Sequence, residues 1–396
     1  MQPPDSSPRS YDVAIVGAGP AGSAAALFLA RAGARVALIE KERWPRYKTC
    51  GGGVVARGRD VLPADVAIPV EHACRAAEAH FLESDLHFRV ERETPIVSMT
   101  MRAELDRSIA DAAVASGAEL LSECALIELR EDGGGVDLET ARGTMRAGCV
   151  VGADGVLSTV ARKAGWTQPV ATMAALEAEV RVTPGAAARF AGTARFDFEA
   201  MPKGYGWVFP KRDHLSCGVL TTERGIGGLH AALDRYLERV GIGARIAEER
   251  HGYLIPVRPR REGCARGRVL LAGDAAGFAD ALTGEGITIA MRSGRIAAEA
   301  LIEAGFGAGA AALYERRLRR SGFRRELWIA RMLAWVLYRR PKLAREAFRR
   351  RGETLCEAMT DVFVGRRTYA SLVAWPGSYV RLARRPRRSA RTATSA

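Results

Sequence analysis

Six residues near the start of the chain, Gly17-Ala18-Gly19-Pro20-Ala21-Gly22, leave few folds open to it. They follow an apolar run, Asp12–Gly17, and open an Ala-rich stretch, Pro20–Ala32, that Gly33 closes. Periodicity and punctuation predict strand, helix and then a second strand over Arg35–Glu40, which is one βαβ unit. In such a unit Gly17 makes the tight turn, Gly19 lets a pyrophosphate approach the backbone, and Gly22 lets the helix pack close to the strand. The helix start, at Pro20 and Ala21, offers free N–H groups and a positive dipole end to phosphates. Glu40 follows Gly17 by 23 residues, at the end of the second strand and beside Lys41. An acid there accepts hydrogen bonds from ribose hydroxyls. The motif alone does not choose FAD over NAD.

At 396 residues the chain exceeds one ordinary core, so two or three domains are expected. Arg102–Ser116 has helical spacing, and Glu119–Glu128, Val136–Glu139 and Cys149–Gly152 read as further sheet of the nucleotide domain. Residues 76–92 and 174–222 alternate with period two and carry aromatics, which predicts an antiparallel sheet in an inserted domain. Val269–Ala272 then reads as a strand and Thr288–Ala304 as a helix. The resulting expectation is an α/β protein. A discontinuous Rossmann-like nucleotide-binding domain would take residues 1–70, 96–168 and 258–312, and an antiparallel-sheet substrate domain 71–95 and 169–257. A helical, Arg-rich C-terminal region would take 313–396.

The net charge of +14 invites a nucleic-acid reading, but its distribution argues against one. Residues 314–396 carry +16, which leaves −2 for residues 1–313, the body that should hold the chemistry. No nucleic-acid partner is expected. The first ten residues lack the apolar core of a secretory signal, which points to the cytoplasm. No apolar stretch approaches the roughly 20 residues of a membrane span. The seven cysteines lie far apart with no CxxC pair, and the six histidines show no ligand spacing. Neither a disulfide framework nor a metal site is expected.

Two downstream turns narrow the cofactor. Val151-Gly152-Ala153-Asp154-Gly155 and Leu271-Ala272-Gly273-Asp274-Ala275-Ala276-Gly277 each end a predicted strand in a Gly–Asp pair. In this order after the Rossmann motif they resemble the fingerprints of flavoproteins with the para-hydroxybenzoate-hydroxylase-like fold. That resemblance implies FAD, with Asp154 and Gly273 in its site and Asp274 on the ribitol. It also implies that Gly284-Glu285-Gly286-Ile287 begins a helix aimed at the flavin ring. A narrower resemblance rests on Pro45-Arg46-Tyr47-Lys48-Thr49-Cys50-Gly51-Gly52-Gly53, on Gly204-Tyr205-Gly206-Trp207-Val208-Phe209-Pro210-Lys211 and on the Gly273–Ile287 run. Together they resemble the geranylgeranyl reductase family over nearly the whole chain. The family resemblance implies FAD contacts at Glu40, Cys50, Gly51, Gly53, Arg102, Ala125, Asp274, Gly286 and Ile287. It also implies a substrate wall of Tyr205, Trp207 and Phe209, three side chains that alternate onto one strand face. Members that act on chlorophyll continue the CGG motif with an Ala-Ile-Pro-like segment, whereas here it continues Gly53-Val54-Val55-Ala56.

The chemistry so implied is saturation of a carbon–carbon double bond in a prenyl chain on a lipid or isoprenoid precursor. A hydride reaches one alkene carbon and an acid protonates the other, in a dry pocket. Cys50 is one proton-donor candidate and an ordered water is another. NADPH or reduced ferredoxin would supply the electrons, and a second complete GxGxxG for NADPH is absent. Leu327–Tyr338, flanked by Arg324, Arg325, Arg339 and Arg340, reads both as a helix packed over the substrate domain and as one lying at the inner face of a membrane. The tail Arg381–Arg391 is expected to be disordered. Two other functions share these motifs. One is a flavin monooxygenase or halogenase, although halogenases carry WxWxIP where this chain has Tyr205–Pro210. The other is an electron-transfer flavoprotein serving a membrane quinone, although relatives of that sort carry a Cys-rich tail segment and only Cys356 lies in this one.

Overall fold

In a computed structural model, which describes residues 9–373 apart from 224 and 226, the expected βαβ unit opens the chain. It comprises β1 (Arg9–Val16), α1 (Pro20–Arg31) and β2 (Val36–Ile39). β1 starts upstream of the expected Asp12 because a long partner extends it: Arg9–Tyr11 pair with Met145–Ala147. The chain continues through β3 (Gly53–Val55), α2 (Ala56–Arg59), β4 (His72–Cys74), β5 (Ala76–Phe81), β6 (Leu86–Glu91) and β7 (Val97–Met99). After α3 (Arg102–Ala115) come β8 (Glu119–Leu121), β9 (Leu126–Glu131), β10 (Val136–Thr140) and β11 (Gly143–Gly152). A second group follows: α4 (Thr159–Lys163), β12 (Thr172–Arg181), α5 (Pro184–Ala188), β13 (Thr193–Phe198), β14 (Gly204–Pro210) and β15 (Leu215–Thr221). It ends with α6 (Leu229–Arg239) and β16 (Ala247–Pro256). The short strands β17 (Ala265–Arg266) and β18 (Val269–Leu271) lead to α7 (Ile287–Glu303). Four helices close the described chain: α8 (Ala310–Arg320), α9 (Phe323–Arg339), α10 (Pro341–Phe363) and α11 (Tyr369–Val373).

Five parallel strands, in the order β18-β11-β1-β2-β8, form the heart of the first sheet, with β10 added antiparallel to β11 and β9 antiparallel to β10. The small residues of α1 let it lie close to this sheet and to α7. A Cβ on Gly22 would fall 1.9 Å from the Gly17 carbonyl oxygen, and one on Gly294 would fall 2.1 Å from that of Ala21. Gly17 itself has φ of +104°, which disfavours any side chain. Leu27 and Leu29 are fully buried at this contact, each worth about 1.5–3 kcal/mol.

The second sheet runs β16-β12-β15-β14-β13-β5-β6. It is antiparallel as expected except at β13 and β5, whose Thr193–Phe198 and Ala76–Phe81 run parallel because two distant segments meet there. β16 adds an edge strand beyond the expected windows. Alternation along β12 sends Leu176, Ala178 and Val180 into a core with Leu233 and Leu237 of α6. Glu177 and Glu179 therefore face the other way, toward the first sheet's motifs. Among the described residues no helix is long and apolar enough to cross a membrane. The expected disordered tail, Arg381–Arg391, lies outside the described residues.

Candidate active site

The Rossmann turn, the two Gly–Asp turns, Glu40 and Ala125 come to the carboxyl ends of neighbouring parallel strands, where ligands of open α/β sheets bind. Gly17–Gly22 follows β1, Glu40 and Lys41 follow β2, Ala125 follows β8, Asp154 follows β11 and Gly273–Asp274 follow β18. Backbone hydrogen bonds stitch these ends together: Gly17 N to Ile39 O, Ala153 N to Val16 O, Ala272 N to Gly152 O, Cys124 N to Glu40 O.

At the phosphate end, Glu40 is buried and accepts from Ala18 N at 3.2 Å and from Arg46 Nε at 2.9 Å. Arg46 also reaches Asp106 Oδ2 at 3.1 Å, and Arg102 binds both oxygens of Asp106, at 2.9 and 2.8 Å. One fully buried carboxylate thus anchors two guanidinium groups beside the start of α1. A Cβ on Gly19 would lie 3.5 Å from Arg46 Nη2 and 3.8 Å from Arg102 Nη2. Burial opposes the Arg102 charge, but Asp106 outweighs it and holds the guanidinium firmly protonated. An open helix N-terminus with two anchored arginines is chemistry suited to a pyrophosphate.

At the other end Tyr253 of β16 donates to Asp274 Oδ2 at 2.7 Å, and Lys48 Nζ sits 3.6 Å from the Tyr253 ring centre. Burial pushes the Asp274 carboxyl up, and the Tyr253 bond works against that. Burial and the neighbouring Arg102 push Lys48 down to about 8. Gly284 and Gly286 lead into α7, which starts at Ile287 as expected, with Gly286 close to Asp274. This helix start already holds an acid: Glu285 Oε1 accepts from Thr288 N at 2.9 Å, and Arg57 bridges its other oxygen at 3.1 Å. Three tyrosines pin the loop before α7. Tyr205 and Tyr338 hydroxyls donate to the Thr283 and Leu282 carbonyls, and Tyr369 donates to Asp280 at 2.6 Å.

Tyr205, Trp207 and Phe209 share one face of β14, with Tyr205 and Trp207 buried and Phe209 partly so. The Cys50–Gly53 loop lies against them: a Cβ on Gly51 would be 3.0 Å from the Phe209 ring and 3.1 Å from Trp207 Nε1. A side chain there would fit only if the aromatic rings gave way by a few tenths of an ångström. Cys50 is half-buried, and its Sγ accepts from Gly52 N at 3.4 Å. Lys211 braces the loop, donating to Gly51 O at 2.9 Å and Thr100 O at 2.8 Å. Ile329, Ala330, Ala334 and Tyr338 of α9 roof the aromatic face together with Tyr369. The opposite side of α9 leaves Trp328, Met332 and Trp335 about half exposed.

Two candidates stand aside from this gathering. The Lys41 side chain is exposed and pairs with Glu42 at 3.6 Å. The Asp154 carboxylate caps α4, accepting from Ser158 Oγ, Thr159 N and Val160 N, while its backbone packs on Gly17. Sequence reasoning passed over Arg46, Lys48, Lys211, Tyr253 and Glu177. The first three lie inside or beside the quoted motifs. Glu177 shows itself only as one of two acids, with Glu179, in a largely apolar strand.

A family model described as FAD binding domain matches residues 10–198. The chloroplastic geranylgeranyl diphosphate reductase of Oryza sativa subsp. japonica is 31% identical over 393 residues, which span 92% of this chain and 81% of the relative. Digeranylgeranylglycerophospholipid reductase 2 of Methanothermobacter thermautotrophicus is 33% identical over 318 residues, spanning 74% and 78%. Among solved structures, a geranylgeranyl bacteriochlorophyll reductase-like protein from Thermoplasma acidophilum aligns with a TM-score of 0.73, over 95% of this chain and 99% of that one at 22% identity. A flavin-dependent brominase reaches 0.72 over 94% and 99% at 20% identity. These two likenesses concern the fold alone.

Proposed function

The chain belongs to the geranylgeranyl reductase family of FAD-dependent oxidoreductases, and from that premise we propose that it saturates carbon–carbon double bonds of a prenyl chain on a lipid or isoprenoid precursor. The observation that carries this reading is the aromatic wall Tyr205–Trp207–Phe209, pressed on one side by the Cys50–Gly53 loop and roofed by α9. An aromatic face buried in this way is dry and suits an apolar chain rather than a charged substrate. When bound, FAD supplies the hydride chemistry. The chain's own residues do the holding. Gly17, Gly19, Pro20, Ala21 and Gly22 cradle the pyrophosphate with Arg46 and Arg102, and Glu40 takes the ribose hydroxyls. Asp274, with Gly273, takes the ribitol, and Gly284, Gly286 and Ile287 border the ring. Cys50, Gly51 and Gly53 would meet the cofactor from the loop that packs against the aromatic wall.

The test is anaerobic. The purified protein is checked for bound FAD by absorbance, reduced chemically and offered geranylgeranyl lipids, while flavin reoxidation and product mass are followed. Reoxidation with a gain of two mass units per double bond is the expected result. A flavin that stays reduced until oxygen is admitted sinks the reductase reading and favours a monooxygenase or halogenase. Repeating the cycle with NADPH or with reduced ferredoxin in place of the chemical reductant identifies the electron donor.

We further propose that α9 rests on an anionic membrane surface. Trp328, Met332 and Trp335 form one exposed stripe, Arg340 lies 5.0 Å from the Trp335 ring, and Arg339 flanks it. Exposed indoles beside arginines suit an anionic headgroup layer. Co-sedimentation with phosphatidylglycerol vesicles should fall at least about tenfold in Trp328→Ala/Trp335→Ala, each aromatic anchor being worth on the order of 1 kcal/mol or more. Equal sedimentation of the variant would refute the contact.

A further inference from the structure

The sheet face that carries the aromatic wall continues across β15 as an acidic one. Glu177 of β12 stands opposite Gly218 of β15, which stands opposite Trp207 of β14; Glu179, Ser216 and Phe209 form the next row. β15 contributes no side chain between Trp207 and Glu177. The indole fills that space instead, since a Cβ on Gly218 would meet Trp207 Cζ2 at 2.2 Å. Glu177 is 2% exposed, and neither its Oε1 nor Trp207 Nε1 has a hydrogen-bond partner. Buried polar atoms left open in this way, on a wall meant for substrate, call for an explanation.

A path to solvent begins at the same carboxyl. Glu179 lies two residues along the same strand face, with its Oε2 2.9 Å from His214 Nε2; His214 Nδ1 lies 2.8 Å from Asp213, whose side chain is 60% exposed. Tyr47, from the motif loop that also carries Cys50, lies near the pair and packs its ring, tilted at 42° and 4.5 Å between centres, against His251 of β16, the residue opposite Glu177. Arg102 and Lys211 supply the nearby positive charge. Burial and the neighbouring Glu179 raise the Glu177 carboxyl well above its usual range. Burial acts the same way on Glu179, but the neighbouring His214 and the Lys211 charge hold it down. His214 is raised despite its own burial by the neighbouring Glu179 and Asp213. Of two adjacent acids, one therefore keeps its proton and the other stays ionised.

We propose, building on the prenyl-reductase reading, that Glu177 is the proton donor of the reduction and that Glu179 and His214 relay its replacement from solvent. As a hydride from the reduced cofactor forms a C–H bond at one alkene carbon, the π pair of the double bond takes the Glu177 proton at the other carbon. The Glu177 O–H bond breaks and leaves a carboxylate. The His214 imidazolium passes a proton through Glu179 to that carboxylate and recovers its own from water.

Two measurements on the FAD-loaded protein test this. The first needs no turnover: infrared spectra of the oxidised protein near neutral pH should contain the carbonyl stretch of a protonated carboxylic acid, and Glu177→Gln should remove it. The second follows flavin reoxidation by geranylgeranyl lipid in H2O and D2O. Glu177→Gln should slow it about 100-fold or more, with the FAD absorbance spectrum intact, and Glu177→Asp should restore part of the loss. His214→Asn should slow later turnovers more than the first. A carboxylic carbonyl region left unchanged by Glu177→Gln, or a Glu177→Gln rate within about threefold of wild type, overturns the proposal. A solvent isotope effect that survives Glu177→Gln and vanishes in Cys50→Ala assigns the role to the thiol and overturns it as well. Wild-type protein that leaves the lipid unreduced overturns the reductase reading, and the donor role falls with it, whereas failure of the Glu177 variants alone touches only the donor.

Discussion

Asp106 contributes no atom to the surface, yet it sets the positions of both arginines at the phosphate end. Removing its charge frees Arg46 and Arg102 to turn toward solvent. Asp106→Asn should weaken FAD binding about 10- to 100-fold, since hydrogen bonds to charged groups contribute about 1.5–3 kcal/mol each. Fluorescence titration of the apoprotein with FAD measures this, and unchanged affinity would remove Asp106 from the account. Lys48 gives a pH signature. Its ammonium is held down to about 8 in the cofactor-free protein, and an anionic cofactor favours the charged form. Binding therefore takes up a proton above that pH and none below it, where Lys48 is already charged. FAD affinity should be flat at lower pH and fall above about 8, by at most roughly tenfold per pH unit, and Lys48→Met should abolish the slope. A slope that persists in the variant belongs to another group.

The loop 280–286 owes its position to elements from three parts of the chain: β14 through Tyr205, α9 through Tyr338 and α11 through Tyr369. α11 is held in turn by Glu326 of α9, which accepts from Tyr369 N at 2.6 Å and Ala370 N at 3.0 Å. Tyr369→Phe leaves the buried Asp280 without its hydroxyl donor while keeping the ring. Amide exchange over the loop should then accelerate about 5- to 100-fold, the equivalent of about 1–3 kcal/mol of lost local stability. Exchange confined to α11 would show that the loop stands without it. Little of this was legible in the sequence. The loop's Gly-Glu-Gly pattern stood out, but a tyrosine in a short C-terminal helix carries no local sign that it ends on a carboxylate 89 residues upstream.

Across the whole molecule, the local patterns were legible and the pairings between distant segments were not. The Rossmann turn, the two Gly–Asp turns and the aromatic strand each rest on a few consecutive residues whose geometry is dictated locally. The parallel meeting of β13 with β5, the edge strand β16 and the acidic half of the β12–β15 face depend on which segments come together, and no short window encodes that. Charge is divided on the same scale, with +16 on residues 314–396 and −2 on the rest, so membrane contact should be oriented and salt-sensitive. Vesicle binding of the intact protein should drop steeply between low and high salt, and binding indifferent to salt would leave the exposed indoles as its sole basis. The tyrosine clamp also imposes an order in time. During synthesis Asp280 leaves the ribosome 89 residues ahead of Tyr369, which at about 5–20 residues per second is about 4–18 s. For that interval the first sheet can be complete while the loop before α7 is still unpinned, so the nascent chain gains this loop's final position only when its last described helix arrives.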